Sequence, residues 1–205
     1  MNTTKQKILK TSLDLFNQQG LYKVTLRRIA KEINISQGNL NYHYKKREDI
    51  IETLYFSLVA DIDKTMLNIN QNQINVKTLH QLSSAVLHLF YEYRFFLLDF
   101  TQIMREQPVV KTHYNQLVKI RKQQTLDLFN TLVANKLMRN EQFKNEFDDL
   151  YTRIQILSDF WMSSITIENT LIDKKTTDKY VKIITESIYP YLTKKGLDEY
   201  YLLLT

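Results

Sequence analysis

Cysteine is absent from the 205 residues, which excludes disulfides, thiolate metal sites and cysteine nucleophiles. A reducing compartment is compatible with that absence. Proline occurs twice and glycine three times. Sandwiches and barrels turn often and draw on both residues, so their scarcity points to a few long helices. No window reaches the roughly 18 uninterrupted apolar residues of a membrane span. The start, MNTTKQKILK, is polar and lacks the apolar segment of a signal peptide. A cytoplasmic location is therefore the expectation. No internal repeat or low-complexity tract stands out. With 43 % hydrophobic and 24 % charged residues, the chain has the material for a real core, as one large domain or a small one joined to a larger.

Charge is distributed unevenly. Residues 1–50 hold ten Lys/Arg and four Asp/Glu, a balance of +6, whereas residues 51–205 hold eighteen of each and balance to zero. The entire positive excess lies in the first quarter, where a polyanion would meet it. A solvated basic face is the alternative for charge taken alone.

The pattern in that quarter is helical. Ile8, Leu9, Leu13, Leu15 and Phe16 form an apolar stripe over about Thr4 to Gln19, and Gly20 ends it. Thr25 reads as the N-cap of a two-turn helix near 26–32, with Ile29 and Ile33 inward and Ala30 small enough for a close crossing. Asn34 stands where the chain reverses, and asparagine tolerates the left-handed conformation. Ile35 plugs the turn, and Ser36 caps a new helix from Gln37. Two short helices joined by a tight turn, the second freshly capped, form a helix-turn-helix.

Side chains placed at 100° steps, with Leu40 inward, put Gly38 and Tyr42 on the opposite face. Asn39 and Asn41 flank them, and Gln37 and His43 lie at the edges. Glycine within a helix costs about 1 kcal/mol relative to alanine, a cost that close approach by another body explains. Asn and Gln pair bidentately with adenine edges; Tyr and His donate to phosphates. Lys45, Lys46 and Arg47 follow at the next helix start, where backbone N–H groups also favour anions.

Residues 8–51, ILKTSLDLFNQQGLYKVTLRRIAKEINISQGNLNYHYKKREDII, resemble the DNA-binding module of the TetR family of bacterial transcriptional regulators. The resemblance implies that Thr25 and Arg27, with Arg28 beside them, contact DNA. It also implies that Ser36 to Tyr44 form the recognition helix and that Arg47 binds phosphate. Three positions depart from the family: Asn34 stands for a frequent glycine, Asn41 for a tyrosine, and Lys46 for a Ser or Asn cap. The resulting expectation is that Arg27, Asn39 and Asn41 read bases while Tyr42, His43, Lys46 and Arg47 grip phosphate.

The expected architecture is all-α. A three-helix helix-turn-helix DNA-binding domain (1–46) precedes a helical bundle for dimerisation and effector binding (47–205), and a helix over 47–68 connects the two. Ile50, Ile51, Leu54, Leu58, Ile62 and Met66 carry that helix's stripe, and a boundary falls within 68–75. Helices are expected over about 76–92, over YRFFLLDFTQIMRE, from Pro108 to about Lys136, over 146–170 and over 177–193, where Pro190 bends or ends the last. GLDEYYLLLT adds a short tail helix.

The resemblance implies a homodimer, an operator in double-stranded DNA and a small effector. The helices near 148–170 and 177–193 resemble the family's dimer pair, and ILSDFWMSSITIENTL is apolar on more than one face, as a helix packed both inward and on a partner would be. For a largely apolar effector, the candidates are Tyr91, Phe95, Phe96, Phe100, Met104, Phe129, Asp159, Phe160 and Trp161, although most of such a stripe is ordinary core. Asp99 and Asp159 sit in apolar sequence; a cationic ligand is one partner open to either, and pairing with Arg94, Arg105 or Arg153 is the leading expectation. His88 and Glu92 stand i, i+4, too few ligands for a metal, and neither metal nor cofactor is expected. The leading reading is a ligand-released repressor. A sequence-neutral architectural DNA protein and a helical enzyme with a DNA-binding-like start are the alternatives, although no phosphate loop, serine triad or metal cluster is legible.

Overall fold

The computed structural model describes residues 4–67 and 74–203. Among these, the chain is a succession of α-helices: α1 Thr4–Gln19, α2 Leu26–Glu32, α3 Gln37–His43, α4 Arg47–Leu67, α5 Val76–Glu92, α6 Arg94–Leu98, α7 Phe100–Glu106, α8 Pro108–Ala134, α9 Glu146–Ile167, α10 Lys174–Glu186 and α11 Lys194–Tyr201. Short 3₁₀ turns lie at Leu21–Lys23 and Tyr189–Tyr191. The expected boundary within 68–75 falls mostly outside the described residues. The all-α expectation holds: β-pairing among the described residues is limited to one isolated bridge, Met138 with Leu192.

Scarce glycine is compensated by other residues in the left-handed region. α2, α8 and α9 end alike, with a positive φ at Asn34 (55°), Lys136 (59°) and Asn169 (57°). In each, the following N–H reaches back five residues: Ile35 to the Ala30 carbonyl (3.0 Å), Leu137 to Leu132 (2.8 Å) and Thr170 to Ile165 (3.0 Å). These are Schellman closures, which satisfy carbonyls that a helix end leaves orphaned. Asparagine carries two of them at modest cost; lysine, with no local hydrogen bond to offer, carries the third. Glycine itself is required at Gly20, where φ is 76°. It is also required at Gly196, where an added Cβ would run into the Leu137 carbonyl as α11 packs against the end of α8.

Three boundaries differ from expectation. The helix expected over 93–106 is two, α6 and α7, broken at Asp99. The Asp99 carboxylate accepts the Leu21 N–H at 3.2 Å, so the break joins the body to the first helix pair. The helix expected over 177–193 begins at Lys174, because the Asp173 carboxylate caps it by accepting the Thr176 N–H at 2.7 Å. It ends at Glu186, and Pro190 sits in the separate 3₁₀ turn. α9 stops at Ile167, three residues early, at the Asn169 closure.

One buried cluster runs through the amino-terminal helices into the body. Ile8, Phe16, Ile29, Leu40 and Ile50 belong to it, as do Phe95, Phe96, Ile103, Trp161 and Met162. A second cluster, built on Leu128, Phe129, Leu132, Phe147, Leu150 and Tyr191, closes the far end. There Arg139 makes a two-toothed pair with the buried Glu146, at 2.9 and 2.8 Å, and the Gln142 N–H donates to the same carboxylate at 2.7 Å. These donors hold Glu146 down at about 2.

Candidate nucleic-acid interface and interior cavity

The helix-turn-helix is built from local side-chain chemistry. The Thr25 hydroxyl accepts the Arg28 N–H at 3.2 Å and opens α2; the Ser36 hydroxyl accepts the Asn39 N–H at 3.1 Å and opens α3. Ile29, Ala30 and Leu40 are buried where the two helices meet. Leu40 fixes the rotation of α3, and Gln37, Gly38, Asn39, Asn41 and Tyr42 are all exposed on the other side, with Tyr42 86 % exposed. His43 is half-buried, its ring edge-on to Tyr42 at 5.3 Å. An added Cβ at Gly38 would meet nothing nearer than the Ser36 hydroxyl at 3.9 Å. Among the described residues, no packing contact requires glycine there.

Thr25, Arg27, Arg28, Lys45 and Lys46 are exposed around this face. Arg28 pairs with Glu32 at 3.0 Å along α2. Lys46 cannot cap α4 with its side chain. Instead Asp49, three residues on, accepts the Lys46 N–H at 3.1 Å and supplies the returning half of a capping box. Arg47 is turned inward: its guanidinium donates to the Leu21 carbonyl at 2.8 Å and lies 3.5 Å from Glu48. The expected phosphate ligand is thus already engaged with the chain's own backbone.

Behind this head the body contains a partly open cavity of about 250 Å³. Its walls come from α4, α5, α8, α9 and α10, together with Phe96 of α6. Among the effector candidates, Phe96, Phe129 and Asp159 border it. Tyr91, Phe95, Phe100, Met104, Phe160 and Trp161 do not. Trp161 instead stacks on Tyr180 at 4.5 Å, Phe95 packs on Phe16 at 5.3 Å, and Tyr91 lies under the Arg94 guanidinium at 5.1 Å. The sequence reading missed the aliphatic wall of α5, with Leu79, Leu82 and Val86, and the tyrosines Tyr55, Tyr114 and Tyr151.

Neither aspartate pairs with an arginine as expected. Asp99 holds Leu21, and Asp159 accepts the Tyr114 hydroxyl at 2.7 Å. Arg153 donates to the Tyr191 hydroxyl at 2.6 Å and Arg94 to the Tyr91 carbonyl at 3.2 Å. Burial pushes the Asp159 carboxyl up to about 6, against the donations from Tyr114 and Gln155. His88 has Nδ1 2.7 Å from the Ser84 carbonyl oxygen and Nε2 3.2 Å from the Asp178 carboxylate, so its near neighbours are not Glu92.

The head is tied to the wall of the cavity through α6. The Asn17 side chain of α1 spans the junction of α5 and α6, donating to the Glu92 carbonyl at 2.7 Å and accepting the Phe95 N–H at 3.0 Å. Leu21 is held at both ends, its N–H by Asp99 and its carbonyl by Arg47. Along the outside of α9, Ile156, Phe160 and Ile167 leave an exposed apolar stripe, 57 %, 39 % and 83 % exposed.

Residues 8–54 match the family model described as bacterial regulatory proteins, tetR family, and residues 58–200 match one described as bacterial transcriptional repressor. A crystal structure of a TetR-family transcriptional regulator from Marinobacter aquaeolei VT8 superposes with a TM-score of 0.88 at 22 % identity, covering 98 % of this chain and 97 % of that one. The biofilm operon icaADBC HTH-type negative transcriptional regulator IcaR of Staphylococcus aureus is 31 % identical over 80 residues, 38 % of this chain and 42 % of that protein. The HTH-type transcriptional regulator YerO of Bacillus subtilis is 26 % identical over 145 residues, 68 % of this chain and 46 % of that protein. The chain thus spans less than half the length of these curated relatives. Among the described residues, no helix is long and apolar enough to cross a membrane.

Proposed function

Because the chain belongs to the TetR family of bacterial transcriptional regulators, we propose that it is a homodimeric, sequence-specific DNA-binding repressor, released from its operator by a small, largely apolar molecule held in the cavity. The observation that carries the reading is the outer face of α3. It is small, polar and exposed, it has an unneeded glycine at its centre, and it is rimmed by the quarter of the sequence whose balance of +6 equals the net charge of the whole chain. That is the surface a major groove accepts. Arg27, Asn39 and Asn41 read base edges, with Thr25, Arg28, Ser36 and Gln37 at the margin. Tyr42, His43, Lys45 and Lys46 hold phosphate, and Arg47 positions the head through Leu21.

One head reads a few base pairs, so a pair is needed for affinity and specificity. Two-fold pairing places recognition helices one turn of duplex apart, about 34–36 Å. The bare apolar stripe of α9 supports pairing there, since such residues are covered when an isologous contact forms. Release follows from differential binding. A ligand that prefers one position of α6 over another shifts Phe96, and with it Phe95, Asn17 and the Asp99–Leu21 contact, which set where α1 and the head lie.

The experiment is competition binding on a duplex selected from random DNA. Lys46→Ala weakens binding to selected and random duplexes alike and lowers the salt slope by about one. Asn41→Ala costs about 1–3 kcal/mol on the selected duplex and little on random DNA. Equal losses on both duplexes for both variants contradict the assignment. A wild-type chain that does not discriminate between duplexes is an architectural protein instead.

A further inference from the structure

Among the described residues, the charged ones bordering the cavity are two. Arg121 of α8 is already neutralised, because it pairs with the Asp63 carboxylate of α4 and donates to Gln124 at 2.8 Å. Asp159 of α9 is not. It faces the cavity, is 9 % exposed, and its polar partners are the Tyr114 hydroxyl and the Gln155 amide rather than a cation. The remaining titratable groups on the walls are the phenols of Tyr55, Tyr114 and Tyr151; α5, α6 and α10 contribute none. The rest of the lining is aliphatic and aromatic, and it includes Phe90, Phe96 and Phe129.

A carboxylate in such surroundings has lost its water and gained no counter-charge, which disfavours its ionised form. Burial has indeed raised the Asp159 carboxyl toward neutrality. A bound cation supplies the missing charge, and a cation that meets the face of one of the aromatic rings in the lining gains further attraction. An anionic ligand would meet Asp159 with no free positive group to offset it. We infer that the cavity takes a lipophilic monocation, an ammonium head against the Asp159 carboxylate and an apolar body along the aromatic and aliphatic walls. The inference rests on reading this cavity as the effector site, and it narrows that reading from an apolar molecule to a cationic one.

Three probes of matched shape test it on the full chain by isothermal titration: a phenylalkyl trimethylammonium ion, its uncharged tert-butyl isostere and a phenylalkyl carboxylate of the same length. At pH 8 the cation binds at least tenfold more tightly than the isostere, and the carboxylate binds weakest. At pH 5 most Asp159 is protonated, and the cation's advantage falls by about tenfold. Asp159→Asn abolishes the advantage while the neutral isostere binds as before, which reports an intact cavity; asparagine still accepts from Tyr114. Tyr114→Phe keeps the preference for cation but moves its pH midpoint upward, because a donor to the carboxylate is lost. Failure of the cation to bind, a neutral or anionic probe binding as tightly at pH 8, or a preference unchanged in Asp159→Asn overturns the inference. Binding of the cation through Asp159 with no change in operator affinity supports the inference and refutes the effector reading. Release from the operator by all three probes alike does the reverse.

Discussion

Gly38→Ala separates what α3 does for the fold from what it does for DNA. In the free chain the new methyl meets only the Ser36 hydroxyl at 3.9 Å, an ordinary contact, and φ at Gly38 is not in the left-handed region. Nothing opposes the gain in helix propensity, up to about 1 kcal/mol, and smaller this close to the cap. For a chain of this size 1 kcal/mol raises Tm by roughly 2–4 °C. On DNA the sign reverses. Gly38 lies at the centre of the face proposed to enter the groove, so the methyl holds the helix off and strains the Asn39 and Asn41 contacts. A loss of about 1–3 kcal/mol is expected, the size of one mismatched base pair. Thermal unfolding and fluorescence anisotropy on the selected duplex read the two effects in one preparation. A variant that is more stable and binds the duplex as tightly as wild type refutes the reasoning, because the face would then not be in close contact with DNA.

Asp159→Asn also changes stability, with a sign that depends on pH. The Asp159 carboxyl is at about 6 in the folded chain, above the ordinary carboxylate value of 3.8. Its contribution is fully present below about 4 and is lost as pH rises through 6. At pH 8 the asparagine variant is therefore the more stable, by up to ~3 kcal/mol, and near pH 4 the difference closes; unfolding across that range checks it. Lys136→Gly removes a lysine from the left-handed closure of α8, where its side chain is exposed. Chemical denaturation is expected to show a gain of about 0.5–1 kcal/mol, the relief of αL strain less the entropy of the added glycine.

What was legible in the sequence was local. Thr25 and Ser36 cap because a hydroxyl reaches an N–H three residues on, whatever surrounds it, and Asn34 turns because its own backbone tolerates it. The face of α3 follows once Leu40 points inward. The helix break at Asp99 was not legible, because its cause lies 78 residues away at Leu21. Nor was Asn17, a polar residue on a helix that bonds both sides of the α5–α6 junction. The effector candidates show the same limit. Periodicity marks Trp161 and Leu79 alike as apolar, yet Trp161 is buried under Tyr180 while Leu79 lines the cavity. Which apolar faces leave space between them is decided by how long helices cross, and α4, α5, α8, α9 and α10 meet only in the folded chain. The pairings expected for Asp99 and Asp159 failed for that reason too: Arg94 found the Tyr91 carbonyl and Arg153 the Tyr191 hydroxyl instead.

The most direct test of the account is the mass of the complex formed on a duplex selected from random DNA, measured by sedimentation velocity with the enriched sequence read alongside. Two copies of the chain on a duplex whose enriched sequence is an inverted repeat, with half-sites about one helical turn apart, is the predicted result. A single copy per duplex, or enrichment of a site with no two-fold symmetry, contradicts it.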